Sequence, residues 1–189
     1  MFKKLKLITS IGASIFLAIA CNSQPTIIGE TTKFPTVGFE ETHKVNIPYS
    51  TEEVCPLFEP SGRHLIYKWW EPTTLRKPKG DTLKGLMTVS GVSDHEILLL
   101  VTQHEPEDGY MQYLVLWDDF ELQRIDITCV AGHDKTSTEV TWTERNAGIH
   151  ERGVSMVSDF VEGGNLKAIV ERYAEKAENY IKNQKAVNT

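Results

Sequence analysis

The chain has 189 residues, 40% of them apolar and 24% charged, with 26 acidic against 20 basic side chains and a formal charge of −6. That is the length of one ordinary domain with enough apolar material for one core. The counts of 13 Gly, 8 Pro and 3 Cys exclude collagen-like, disordered and disulfide-dense classes. Nucleic-acid binding is excluded as well, because phosphate contacts need a basic face that this sequence nowhere concentrates.

The first twenty residues differ from the rest. Lys3, Lys4 and Lys6 form a basic start, and Leu7 to Ala20 then runs without a charge. This order is that of a secretory signal, and the apolar run is short for a bilayer span. It ends Leu17-Ala18-Ile19-Ala20-Cys21, which resembles the bacterial lipobox, with Ala18 where leucine is usual. The resemblance implies that residues 1–20 are a lipoprotein-type signal peptide and that Cys21 is lipidated. The alternative is an ordinary secretory signal cleaved near Ala20, with Cys21 a bystander. Asn22 in place of Asp after the cysteine implies, in a Gram-negative cell, sorting to the outer membrane. The expected location is therefore the cell envelope, lipid-anchored, on the outer membrane or periplasmic side.

Cleavage there removes three lysines and no acid, so the mature charge becomes −9. An acidic body is repelled by anionic headgroups, which leaves acyl chains to do the attaching. Residues 21–37 hold Asn22-Ser23-Gln24-Pro25-Thr26, Gly29, Thr31, Thr32 and Pro35, the composition of a flexible tether. A single domain is expected over 38–185. Cys55 and Cys129 can pair in an oxidising compartment, but their wide separation favours two buried small apolar side chains over a bridge.

From Phe39 to Pro48 the residues alternate, with His43, Val45 and Ile47 on one face of a first strand. Ser50-Thr51-Glu52-Glu53 fits a capping box opening a short helix through Val54, Cys55, Leu57 and Phe58. Pro56 limits that helix and Pro60-Ser61-Gly62 ends it. Further strands are predicted at Thr82–Ser90, His95–Gln103, Tyr110–Trp117, Leu122–Val130 and Thr138–Arg145. Short turn-rich links between them mean antiparallel hairpins, a meander rather than a Rossmann-type sheet. From Leu166 the period changes: Leu166, Ile169, Val170, Tyr173, Ala177, Tyr180 and Ile181 make one apolar stripe of a helix ending near Asn183. Gly163-Gly164 before it is either a break between two helices or a hinge. The expected class is α+β, a curved antiparallel sheet packed against a long C-terminal helix.

The run from Ser50 to Gly62, then Trp69-Trp70-Glu71-Pro72, resembles members of the START-like, polyketide-cyclase and lipid-transport superfamily. Glu139-Val140-Thr141-Trp142-Thr143-Glu144-Arg145 and Glu151-Arg152-Gly153 are similar to that family's last strand and the segment entering its terminal helix. The resemblance spans roughly residues 39–182. It implies a helix-grip fold with a hydrophobic cavity between sheet and C-terminal helix. Members bind lipids, sterols, polyketides or plant hormones, and a few are cyclases or aromatases. This chain departs from the pattern at Ser61-Gly62-Arg63, at Trp69, and in a longer loop from Asn146 to Arg152.

Candidate chemistry is sparse. His43, His64, His95, His104, His133 and His150 include no pair at the spacing of a zinc helix, and there is no CxxC, so no metal site is expected. There is no GxSxG elbow and no phosphate loop, and no cofactor is expected. Trp69, Trp70, Tyr113, Trp117, Trp142 and Phe160 are the candidate cavity lining, set against plain core packing. His64, Glu144, His150 and Glu151 fall near the cavity mouth by family analogy, as solvated rim charges or as an acid–base. Arg63 and Lys68, beside the tryptophans, are placed to meet a ligand carboxylate or to lay their stems over apolar surface. The function expected is a membrane-tethered binding protein for a small hydrophobic or amphipathic molecule or lipid. Alternatives are a cyclase- or hydrolase-type enzyme using the same cavity and a scaffold with only a protein partner. Oligomeric state is not legible.

Overall fold

The computed structural model describes residues 38–187 except 69, 81, 93, 94, 119, 120 and 150. The expected signal segment and tether, with Cys21, and also Trp69 and His150 lie outside the described residues.

Seven strands form one antiparallel, curved sheet in the order β1-β7-β6-β5-β4-β3-β2. They are β1 (Gly38–Ile47), β2 (Thr73–Arg76), β3 (Met87–Val92), β4 (His95–Glu105), β5 (Tyr110–Trp117), β6 (Glu121–Ala131) and β7 (Thr138–Gly148). The alternation that predicted β1 comes from its pairing with β7, which sets Val45 against Val140 and His43 against Trp142 on the inner face. β2 carries no such signal, because all four of its residues are exposed at the sheet edge. The strand expected over Thr82–Ser90 begins only at Met87. Before it the chain turns, with the Leu86 amide donating to the Leu83 carbonyl at 2.9 Å and Gly85 at φ +86°. In β4 a bulge between Val101 and Gln103 adds one residue opposite β5, so His104 rather than Gln103 falls opposite Met111.

Four helices close one side: α1 (Thr51–Phe58), α2 (Arg63–Ile66), α3 (Glu151–Glu162) and α4 (Asn165–Val187). The Ser50/Glu53 capping box is formed, and Pro56 sits inside α1. Gly62 lets α2 follow at once, since a Cβ there would lie 1.9 Å from the Pro56 carbonyl oxygen. The loop expected from Asn146 to Arg152 is largely absent. β7 continues to Gly148 and α3 starts at Glu151, because Asn146 still points inward and is buried. Gly163-Gly164 is the break between two helices, with Gly164 at φ +58°. α4 runs four residues past Asn183 and buries Leu166, Val170, Tyr173, Ala174, Ala177 and Ile181 against the sheet. No described helix is long and apolar enough to cross a membrane.

The leaning against a bridge is corrected. Cys55 and Cys129 are joined by a disulfide, although 74 residues separate them in sequence. α1 packs against β6, and this brings the two Cα atoms to 5.7 Å, a normal span for a bridge. Distance along the chain carried no information about that meeting.

Candidate functional site

The site is the inner face of the sheet beneath α2 and α4. Its centre is Arg63, the first residue of α2. The residue as a whole is half-buried, and its Nη2 atom is sealed from solvent. The Nε–H donates to the Tyr173 hydroxyl of α4 at 2.8 Å. The guanidinium carbon lies 5.1 Å from the Trp70 ring centre and 5.6 Å from those of Tyr113 and Tyr173, all within cation–π range. Tyr173 is the hub of the surrounding rings, 5.0 Å from Phe58, 5.0 Å from Tyr67 and 5.5 Å from Trp142. Tyr113 donates its hydroxyl hydrogen to the Phe58 carbonyl at 2.7 Å, tying β5 to the end of α1. Burial pushes the Tyr173 phenol up to about 12 and the Tyr113 phenol higher still, against the opposing pull of Arg63, so both stay neutral.

Toward the α3 end the inner face becomes polar. Register places Asn146 of β7 beside Gln123 of β6, then Val115, Leu99 and Thr88 across the sheet. The next row carries Glu121, Trp117, Ile97 and Ser90. Glu144 is 4% exposed and accepts from the Asn146 Nδ2–H at 2.8 Å and the Trp142 Nε1–H at 3.3 Å. Burial pushes its carboxyl above the ordinary range, and those two hydrogen bonds offset only part of the effect. Burial raises Glu121 too, against a hydrogen bond from Gln123. Among the described residues, Arg63 Nη2, Thr88 Oγ1, Trp117 Nε1 and Asn146 Oδ1 are buried with no hydrogen-bond partner. All four belong to this inner side. Buried polar atoms are paired in the great majority of cases, so four orphans facing one layer mark a place built to meet something polar.

Trp70 and Tyr113 flank Arg63, and Trp142 packs on Tyr173 beside them, all three as buried side chains. Trp117 is half-buried in the polar rows, and Phe160 of α3 is half-buried against Phe39, 5.4 Å between centroids. His64 and Lys68 are exposed and take no part. Glu144, expected at a solvated rim, is an interior group, because β7 stays in the sheet past it and α3 closes over that end. Sequence reasoning missed Glu121 and Gln123. Their signal was available: they share the parity of Ile125, Ile127 and Cys129 in β6, so polar residues stand on the apolar face.

A separate surface groove of about 470 Å³ runs between α1 and the β4–β5 turn, past Cys55, Glu59, His104 and Cys129. The half-buried pair His104 and Glu59 in it is internally satisfied, with His104 Nε2 3.2 Å from Glu59 and its Nδ1 accepting from the Leu83 amide at 3.1 Å.

Neither a protein-family model nor a curated protein sequence matches the chain. Solved structures do. A conserved protein from Geobacillus kaustophilus superposes with a TM-score of 0.56 at 15% identity, covering 77% of this chain and 96% of that one. Norcoclaurine synthase from Thalictrum flavum, solved in complex with dopamine and hydroxybenzaldehyde, gives 0.53 at 15% identity over 74% and 86%. Ara h 8.0201 gives 0.54 at 10% identity over 79% and 99%. The fold is the Bet v1-like helix grip. In this helix grip the gripping helix is α4, and its Tyr173 hydroxyl accepts from the guanidinium of Arg63.

Proposed function

We propose that this protein is a membrane-tethered, extracytoplasmic binding protein that holds a small amphipathic molecule between the sheet and α4. The observation that carries the reading is the set of four buried, unpartnered polar atoms facing one aromatic-lined layer. A core meant only to be filled would put apolar groups at Thr88, Asn146 and Arg63, since an unpaired buried polar group costs about 1–3 kcal/mol. The disulfide supports a location outside the reducing cytosol, where such bridges persist. The tether and anchor rest on Cys21 and the composition of residues 21–37. The structural similarity to a synthase solved with two small aromatic compounds fits a ligand of that size.

The test is native mass spectrometry of the full chain carrying Cys21→Ser, purified from an envelope extract without added lipid. A stoichiometric small-molecule adduct, lost on denaturation, is the expected result. A clean protein mass after incubation with lipid, sterol and aromatic mixtures refutes the reading. Anchoring is read separately, by release of the Cys21→Ser chain from the membrane fraction.

A second reading, acid–base catalysis in the same layer, is favoured by one observation: Glu144 is buried with its proton affinity raised. Under it, Glu144→Gln lowers turnover of the bound compound by about 10²–10⁴ while leaving it bound.

A further inference from the structure

We propose that the interior site is selective for a ligand bearing a carboxylate on an apolar or aromatic body, and that the guanidinium of Arg63 receives that carboxylate. The inference rests on the binding reading above and deepens it by naming the ligand's class.

Arginine cannot shed its charge inside a protein, so Arg63 is a cation wherever it sits. An isolated charge in a low-dielectric interior is among the least favourable arrangements unless it is paired. Among the described residues no carboxylate stands within ion-pair distance of Arg63, and the buried or half-buried acids nearby are already engaged. Glu59 faces His104 at 3.2 Å. Glu144 takes the amide of Asn146 and the indole of Trp142. Glu121 takes Gln123 at 3.1 Å. Burial also favours the neutral forms of Glu144 and Glu121, so neither is a dependable counter-ion. What Arg63 touches directly is neutral, one tyrosine hydroxyl and three aromatic rings, while the Glu144 carboxyl acts on it only electrostatically from beyond contact. The rings position the planar group and disperse part of its charge, but they leave Nη2 without an acceptor.

A guanidinium whose ring contacts and Nε–H bond are fixed, with a terminal N–H unspent, is preorganised for a planar two-oxygen anion. The surroundings choose the rest of the ligand. Trp70, Tyr113, Tyr173 and Trp142 offer apolar and aromatic area, while the orphaned Trp117 Nε1 and Thr88 Oγ1 can meet a second polar atom. A neutral sterol or hydrocarbon would leave the Arg63 charge as uncompensated as before.

The experiment is calorimetric titration of the full chain carrying Cys21→Ser at pH 7.5 with matched pairs: 1-naphthylacetic acid and its methyl ester, lauric acid and its methyl ester. In at least one pair the acid should bind on the order of tenfold to a hundredfold more tightly than the ester, the range of a charge-assisted hydrogen bond. Arg63→Met should bring the acid down to the ester and leave the ester unchanged, and Arg63→Lys should keep part of the preference. Equal binding of acid and ester by the unsubstituted site overturns the carboxylate assignment and leaves the binding reading standing. No binding of any of the four probes overturns both. An Arg63→Met chain that melts lower but retains the full preference overturns the role given to Arg63, making it a structural clamp. Should that variant not fold, Arg63→Lys and the loss of preference below the acid's own pKa decide the question in the same way.

Discussion

Breaking the Cys55–Cys129 bridge should lower the stability of the domain by about 4 kcal/mol. The figure follows from the 74-residue separation: closing a loop of that length in the denatured chain removes an entropy that grows with the logarithm of its size. The loop holds α2 and β2 to β5, so nearly half of the described domain becomes freer when unfolded. For a domain of about 150 residues this corresponds to a melting temperature lower by about 10–15 °C. The assay is thermal denaturation followed by circular dichroism on the Cys21→Ser chain, with and without reductant, with alkylation and mass measurement confirming that both thiols are free. A Cys55→Ala, Cys129→Ala chain should melt near the reduced protein and be insensitive to reductant. A shift below about 2 °C with both thiols demonstrably reduced would refute the argument, because the denatured chain would then be confined over this loop by something other than the bridge.

Glu144→Gln tests the buried acid. Its carboxyl binds a proton more readily in the folded than in the unfolded chain, so its contribution to stability is complete below the ordinary carboxylate range and is lost as pH rises through the raised folded value. The amide mimics the protonated form, so the variant should be more stable than the parent near pH 7, by on the order of 1–2 kcal/mol, and should converge with it near pH 4. Urea denaturation at the two pH values checks this, and a difference that grows toward low pH contradicts it. Gly109→Ala tests the β4–β5 turn, where φ is +63° and a Cβ would fall 2.0 Å from the Cys129 carbonyl oxygen. A loss of about 2–4 kcal/mol by chemical denaturation is expected, and a change under about 0.5 kcal/mol would show that the turn relaxes freely.

Periodicity along the chain carried most of the architecture. β1 and β7 announce themselves by two-residue alternation, and α4 by the spacing of Leu166, Val170, Tyr173, Ala177 and Ile181, because each element buries one face and local geometry fixes which residues share it. β2 was silent because nothing in it is buried, and an exposed edge strand imposes no pattern. The candidate site was legible in part. Trp70, Tyr113 and Trp142 stood among six candidate lining residues, with Trp69, Trp117 and Phe160, and β6 held a readable anomaly in Glu121 and Gln123 on its apolar parity.

Composition and local pattern by themselves determined the class of fold, the acidic character of the body, the signal-like start and the residue types available for binding. Only tertiary structure decided that Cys55 meets Cys129, that Glu144 is interior, and that Arg63 lies half-buried against three aromatic rings. Each of these depends on how α1, α2 and α4 settle across a seven-strand sheet, joining residues 74 apart at the bridge and 110 apart at the Arg63–Tyr173 bond. Burial and charge pairing are properties of that packed arrangement, and a sequence window a few residues wide does not contain them.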